Sequence, residues 1–210
     1  DLSMEQRMTI CNMSIEAGSR AWLIAPDEKT FDYLNNRKYT PKNYDDLVDD
    51  WKNNLMTDAN SKFDKTFTID VEKIEPQVSW GTNPAMVSDV TSKVPTPEEF
   101  GNNNEIQIES AKKALSYMDL KPDTPIVDIP IDRVFIGSCT NARLEDLKDA
   151  AEIVKGKTVN SAVSAMVVPG SQMVKLQAEE LGLDRIFKDA NFEWRESGCS
   201  MCLGMNPDIL

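Results

Sequence analysis

Apolar residues at Met4, Met8, Cys11 and Ile15 recur at the spacing of one helical face, and Ser3 with Gln6 forms a capping-box start. The pattern predicts a helix that Gly18 closes. Arg20 to Ala25 is a short apolar run that reads as a strand, and Pro26-Asp27-Glu28 opens a second helix through Leu34. From Asn35 to Thr66 the composition turns polar, yet Tyr44, Leu47, Val48, Trp51 and Leu55 still mark an amphipathic helix. Phe67, Ile69 and Val71 alternate as a strand does. Pro76, the Trp80-Gly81-Thr82-Asn83-Pro84 turn and Pro95/Pro97 make a loop-rich stretch, which sets a domain boundary near residues 72–80. Ile108, Ala111, Leu115 and Met118 predict another helix, with Pro122 and Pro125 marking the break after it.

In the last third, strand and helix alternate. Val134-Phe135-Ile136 predicts a strand, Leu144 to Lys155 a helix closed by Gly156, Ala162 to Val168 a strand, and Ser171 to Leu181 a helix closed by Gly182. Such alternation implies an α/β fold, a parallel sheet covered by helices on both faces.

Hydrophobic residues make up 40% of the 210, too many for a disordered chain, and no apolar run reaches the length of a membrane span. A net charge of -12 excludes the basic surface that nucleic acid requires. The count of histidines is 0, which removes His-based triads, His-ligated zinc and imidazole proton shuttles. Asp1-Leu2-Ser3-Met4 lacks the basic and apolar regions of a signal peptide. With an open ending at Asp208-Ile209-Leu210, the chain reads as a piece of a longer one. The 4 cysteines are too sparse for a disulfide scaffold, so the expected compartment is the cytoplasm.

Gly137-Ser138-Cys139-Thr140-Asn141 lies between a strand and a helix, where parallel sheets bind ligands. Cys139 there is either a ligand or nucleophile, or a small buried hydrophobe. Cys199-Ser200-Met201-Cys202 is a Cys-x-x-Cys pair, which serves redox, zinc or iron–sulfur chemistry. The chain shows no thioredoxin-like unit and no second pair or histidines for zinc. What remains is Cys139, Cys199 and Cys202 as three thiolates of a four-iron cluster, leaving one Lewis-acidic iron open to a substrate hydroxyl and carboxylate. Cys11 reads as core. Asn12 and Glu16 stand one helical turn apart beside the Met4/Met8/Cys11/Ile15 stripe, where Glu16 is either a proton-handling carboxylate or an ordinary solvated one. Val168-Pro169-Gly170-Ser171 is either an anion cradle of backbone N–H groups or simple turn chemistry.

Four segments together resemble the aconitase superfamily, and within it the branch of 3-isopropylmalate dehydratase large subunits. They are ICNMSIEAGSRAWLIAPDEKTFDYL from Ile10, VSWGTNP from Val78, VFIGSCTNARLEDLKDAAEIVKGK from Val134, and the run from Val167 through WRESGCSMCLGMNPD. The resemblance implies two similar three-layer α/β/α domains with parallel sheets, residues 1–75 being part of the family's second domain and 76–210 part of its third. It implies Cys139, Cys199 and Cys202 as ligands of a 4Fe-4S cluster, with Asn12 and Glu16 near the open iron. It places Arg143 where this branch carries a substrate-binding arginine, and sets Asn206-Pro207 within the signature. The implied reaction interconverts 2-isopropylmalate and 3-isopropylmalate in leucine biosynthesis, with homoaconitase chemistry as the near alternative. A separate small subunit with the swivelling domain would supply the base and further arginines, so this chain alone is expected to be inactive. The rival of another class is an inert, cluster-free structural fragment.

Overall fold

The computed structural model describes residues 2–35 and 37–204. In chain order its regular elements are α1 (Met4–Met13), α2 (Glu28–Leu34), α3 (Tyr44–Asn54), β1 (Gln77–Ser79), β2 (Val87–Asp89), α4 (Pro97–Gly101), α5 (Glu105–Met118), β3 (Arg133–Ile136), α6 (Leu144–Val154), β4 (Ser164–Val167), α7 (Gln172–Glu180), α8 (Leu183–Asp189) and β5 (Glu193–Trp194). They form two compact units, one of residues 1–61 with 132–210 and one of residues 62–131. The division differs from a sequential split into 1–75 and 76–210: the first unit is discontinuous, and within it α1 bonds to the loop that follows β3.

In the first unit β3, β4 and β5 lie in that order as a parallel sheet. Val134, Ile136, Ala165, Val167 and Trp194 face one core, filled from α6 by Leu147 and Ala151, from α7 by Ala178 and from α8 by Leu183 and Phe187. All three helices of the alternating run therefore cover a single face, and the cover on both faces that the alternation implied is not what these helices supply. The strand order explains it. Each crossover steps the same way across the sheet, and crossovers of one hand then place their helices on one side.

Two expected strands are absent. Around Arg20–Ala25 no ladder forms, and Trp22, Leu23 and Ile24 are exposed; an apolar run becomes a strand only where a neighbour takes its N–H and C=O groups. Phe67, Ile69 and Val71 are likewise exposed, and the Asp70 carboxylate accepts from the Glu72 N–H, winding Val71–Lys73 into a 3-10 turn. Among the described residues there is thus one parallel sheet, and residues 2–75 hold helices without strands, so a pair of similar α/β/α domains is not seen.

The Met4/Met8/Cys11 stripe of α1 is half-buried, with Ile15 exposed; the buried side chain of this helix is Arg7, 8% exposed. Its guanidinium makes a bidentate pair with Asp27, the N-cap of α2, at 2.7 and 2.6 Å, and donates to Leu2 O and Thr30 Oγ1. The Arg7 hydrogen bond holds the Asp27 carboxyl at about 2, below its ordinary 3.8. A depressed carboxylate stabilises the fold above its ordinary value and loses that contribution as pH falls through the folded one. We expect acid to weaken the α1–α2 pair between about pH 4 and pH 2, and Asp27→Asn to flatten that limb of a urea-midpoint-against-pH profile. An unchanged limb in the variant would show that the pair contributes nothing there.

In the second unit β1 and β2 form an antiparallel hairpin around the Trp80–Pro84 turn that the sequence read as loop. Trp80 is 1% exposed and packs edge-on to Phe100 at 5.1 Å, in a core with Met86, Val94, Ala111, Ala114, Leu115 and Ile126. The helix expected around Ile108–Met118 is α5, capped by Asn104.

Candidate functional site

Because β3, β4 and β5 are parallel, their carboxyl ends deliver three loops to one edge of the sheet: Gly137–Asn141, Val168–Ser171 and Arg195–Gly204. Backbone bonds carry the pairing into these loops, from Val168 N to Ile136 O at 2.8 Å and from Arg195 N to Val167 O at 2.9 Å. Cys139 stands on the first loop, Cys199 and Cys202 on the third, and all three are exposed thiols without a disulfide. Cys139 is therefore not a buried hydrophobe. Cys11, expected in the core, is only half-buried in a cleft with Met4, Met8, Trp22 and Leu23.

The Cys139 loop is tightly specified. A Cβ on Gly137 would come within 2.4 Å of the far end of the Phe135 ring, so any larger residue requires that ring to move aside. Ser138 holds φ +88°, a conformation that side chains rarely adopt and that concentrates at functional turns, and its Oγ accepts from the Asn141 N–H at 3.2 Å. On the middle loop, the Gly170 N–H donates to Ala142 O at 2.8 Å, and a Cβ at Gly170 would sit 2.9 Å from that oxygen. That N–H is thus engaged within the protein and is not part of an anion cradle; Gly170 instead lets the middle loop approach the first. Ser171 is the N-cap of α7, its Oγ accepting from Val174 N at 3.2 Å.

The third loop is braced from α7 by a network that the sequence pattern does not single out. Lys175 Nζ lies 2.8 Å from Glu196 Oε1 and 3.1 Å from Glu179 Oε1, and Trp194 Nε1 donates to Glu179 at 3.0 Å. Donating to the Glu196 and Glu179 carboxylates raises the Lys175 ammonium above its ordinary value. The Trp194 N–H, then Lys175, holds Glu179 below the usual carboxylate range, and Lys175 lowers Glu196. Sequence spacing gives only the i,i+4 Lys175/Glu179 pair; Glu196 enters through the β5 register. Beyond it Ser200, 1% exposed, accepts at its carbonyl from Leu203 and Gly204 N–H and folds the Cys-x-x-Cys segment into a turn.

Asn12 lies in the last turn of α1 and Glu16 in the turns after it, since the helix ends at Met13; both are exposed. Arg143 caps α6, its backbone N–H donating to Asp146 Oδ2 at 3.0 Å and its Nη1 to Glu5 O of α1 at 3.1 Å. Thr9 Oγ1 lies 3.0 Å from Asn141 Oδ1. These two bonds bring α1 to the Cys139 loop. Asn206 and Pro207 lie outside the described residues.

Three thiols without an imidazole are a soft donor set, the kind that selects iron–sulfur clusters over hard cations. The set fits a 4Fe-4S cluster in kind and in its placement on one sheet edge, although among the described residues no three Cys, Asp or Glu side chains are drawn together closely enough to hold a metal ion. No helix of the described residues is long and apolar enough to cross a membrane. Compared with models of known families, the chain is matched over residues 1–210 by that of the Aconitase family (aconitate hydratase).

Proposed function

Since the chain belongs to the aconitase family, we propose that it is part of the large subunit of a 3-isopropylmalate dehydratase. The coarser assignment, an aconitase-family hydro-lyase, comes from the family itself. Arg143 directly after Thr140-Asn141-Ala142, and the Asn206-Pro207-Asp208 ending, support the isopropylmalate branch over other hydro-lyases. The observation that carries the reading is the delivery of Cys139, Cys199 and Cys202 to the same carboxyl edge, with α1 bonded to the first of those loops. The reading assigns residues 1–75 to the second domain of the longer subunit and 76–210 to its third, a division other than the packing of residues 1–61 with 132–210 seen in this chain.

Cys139, Cys199 and Cys202 would hold the 4Fe-4S cluster, which when bound supplies a Lewis-acidic iron for the substrate hydroxyl and carboxylate. Asn12 donates a hydrogen bond that orients that hydroxyl, and Glu16 gives it a proton as it leaves as water and takes a proton back when water re-adds. Arg143 presents its remaining N–H donors to a substrate carboxylate, and the Ser171 hydroxyl keeps a proton to donate beside it. Removal of the carbon-bound hydrogen falls to a base on a separate small subunit carrying the swivelling domain. The setting is cytoplasmic, where the three thiols stay reduced.

Anaerobic reconstitution with iron and sulfide tests the reading. We expect bound iron with broad visible absorption, lost in Cys139→Ser because the substitution leaves two thiolates of the three to hold the cluster. Reconstituted protein without iron would leave an inert fragment as the correct description.

A further inference from the structure

Glu5, Thr9 and Asn12 are spaced i, i+4 and i+7, the rhythm of a single face of α1, and Glu16 follows in the turns after the helix. This face is next to, and distinct from, the half-buried Met4/Met8/Cys11 stripe. Two of its members make the bonds that leave α1 for the cysteine edge: Thr9 Oγ1 to Asn141 Oδ1 at 3.0 Å, and Glu5 O from Arg143 Nη1 at 3.1 Å. The receiving segment is itself rigid. Asn141 is held by Ser138 Oγ, Gly170 donates to Ala142 O, and Asp146 caps the Arg143 N–H. On the far side of α1 the buried Arg7 pairs with Asp27 and clamps the helix to α2.

We propose that Thr9 is a positioning residue: with Asn141 and Arg143 it registers the Asn12 face of α1, and the Glu16 turn that continues from it, against the Cys139 loop. The proposal rests on the proposed function, in which Asn12, Glu16 and Cys139 serve one site, and adds to it the contact that sets their register. Thr9 suits this place because β-branching restricts its side chain in a helix to two rotamers, and its hydroxyl donates to a side-chain amide oxygen two residues beyond the cysteine. Nothing in the chemistry requires Thr9 to touch substrate.

The test uses the full chain with Thr9→Val, which keeps the shape and removes the donor, and Thr9→Ser, which keeps the donor. Amide hydrogen exchange is measured over residues 10–19 and 138–143, with α5 as the internal reference. In Thr9→Val we expect exchange to accelerate in both segments together, by roughly three- to tenfold, the factor that one net hydrogen bond supplies. Thr9→Ser should return both segments to the parent rate. In the assembled, iron-loaded enzyme the same valine variant should lower kcat while KM and iron content hold. Acceleration confined to one segment, or spread evenly through the first unit, overturns the proposal. Coupled acceleration in a chain that takes up no iron supports the register and overturns only the functional reading. Iron uptake with both segments unmoved by Thr9→Val does the reverse.

Discussion

Phe187→Ala is expected to lower the unfolding free energy by roughly 3–5 kcal/mol, the usual cost of removing a fully enclosed aromatic ring. Phe187 is 0% exposed. Its ring lies 5.8 Å from Trp194 in a stacked arrangement and 5.7 Å from Phe192 edge-on, so one side chain joins α8 to β5 and to the turn between them. The Phe187 carbonyl also accepts from the Phe192 N–H at 2.9 Å, which keeps the backbone from closing over the space the ring would leave. A residual cavity therefore adds to the lost transfer energy. The midpoint of urea unfolding should fall with little change in slope, whereas Ile153→Ala on the outer face of α6, 66% exposed, should stay within about 0.5 kcal/mol of the parent. A loss below about 1 kcal/mol for Phe187→Ala would mean that this core is not close-packed. The consequence reaches the site, because Trp194 donates to Glu179 and so enters the network that braces Glu196 ahead of Cys199.

The last third of the chain was legible because its signals are local. Leu144 to Lys155 and Ser171 to Leu181 read as helices within a residue at each end, since caps and apolar period are both written in the segment. The rule that ligands sit beyond the carboxyl ends of parallel strands then placed Cys139 without any knowledge of its neighbours. The strands expected near Arg20–Ala25 and Phe67–Val71 failed for the complementary reason, because a strand exists only by pairing and no signal inside a segment names its partner. Arg7 lies outside the apolar stripe of α1 and drew no expectation, and it is buried because Asp27 stands at the start of another helix. The early end of α1 has a local cause that is easy to overlook: the Ser14 hydroxyl turns back to donate to Cys11 O at 2.8 Å, a competing bond of the kind that loosens helix ends. The contact of Thr9 with Asn141 joins residues more than half the chain apart, and only the helical periodicity linking Thr9 to Asn12 hints at it.

If the proposed function holds, Glu16→Gln in the complete, iron-loaded enzyme lowers kcat by a factor of ~10²–10⁴, the usual contribution of a positioned acid or base. Glutamine keeps the length, the carbonyl oxygen and the capacity to hydrogen-bond, and loses only the ability to take or give up a proton at that oxygen. The local structure makes the comparison clean. Glu16 sits in the exposed turns after α1, anchored through its backbone N–H to Met13 O at 3.2 Å, and Gly18 closes the segment at φ +81°. Among the described residues its carboxylate takes part in no hydrogen bond or ion pair of the chain, so the substitution should change stability by less than about 0.5 kcal/mol. A fall in kcat therefore reports lost proton transfer, with thermal midpoint and iron content as the controls that exclude unfolding or loss of the cluster. KM should hold, because an amide at this position still occupies the same volume and still hydrogen-bonds a hydroxyl. Should kcat stay within a few-fold of the parent, Glu16 is an ordinary solvated carboxylate, and the proton must be handled by another group.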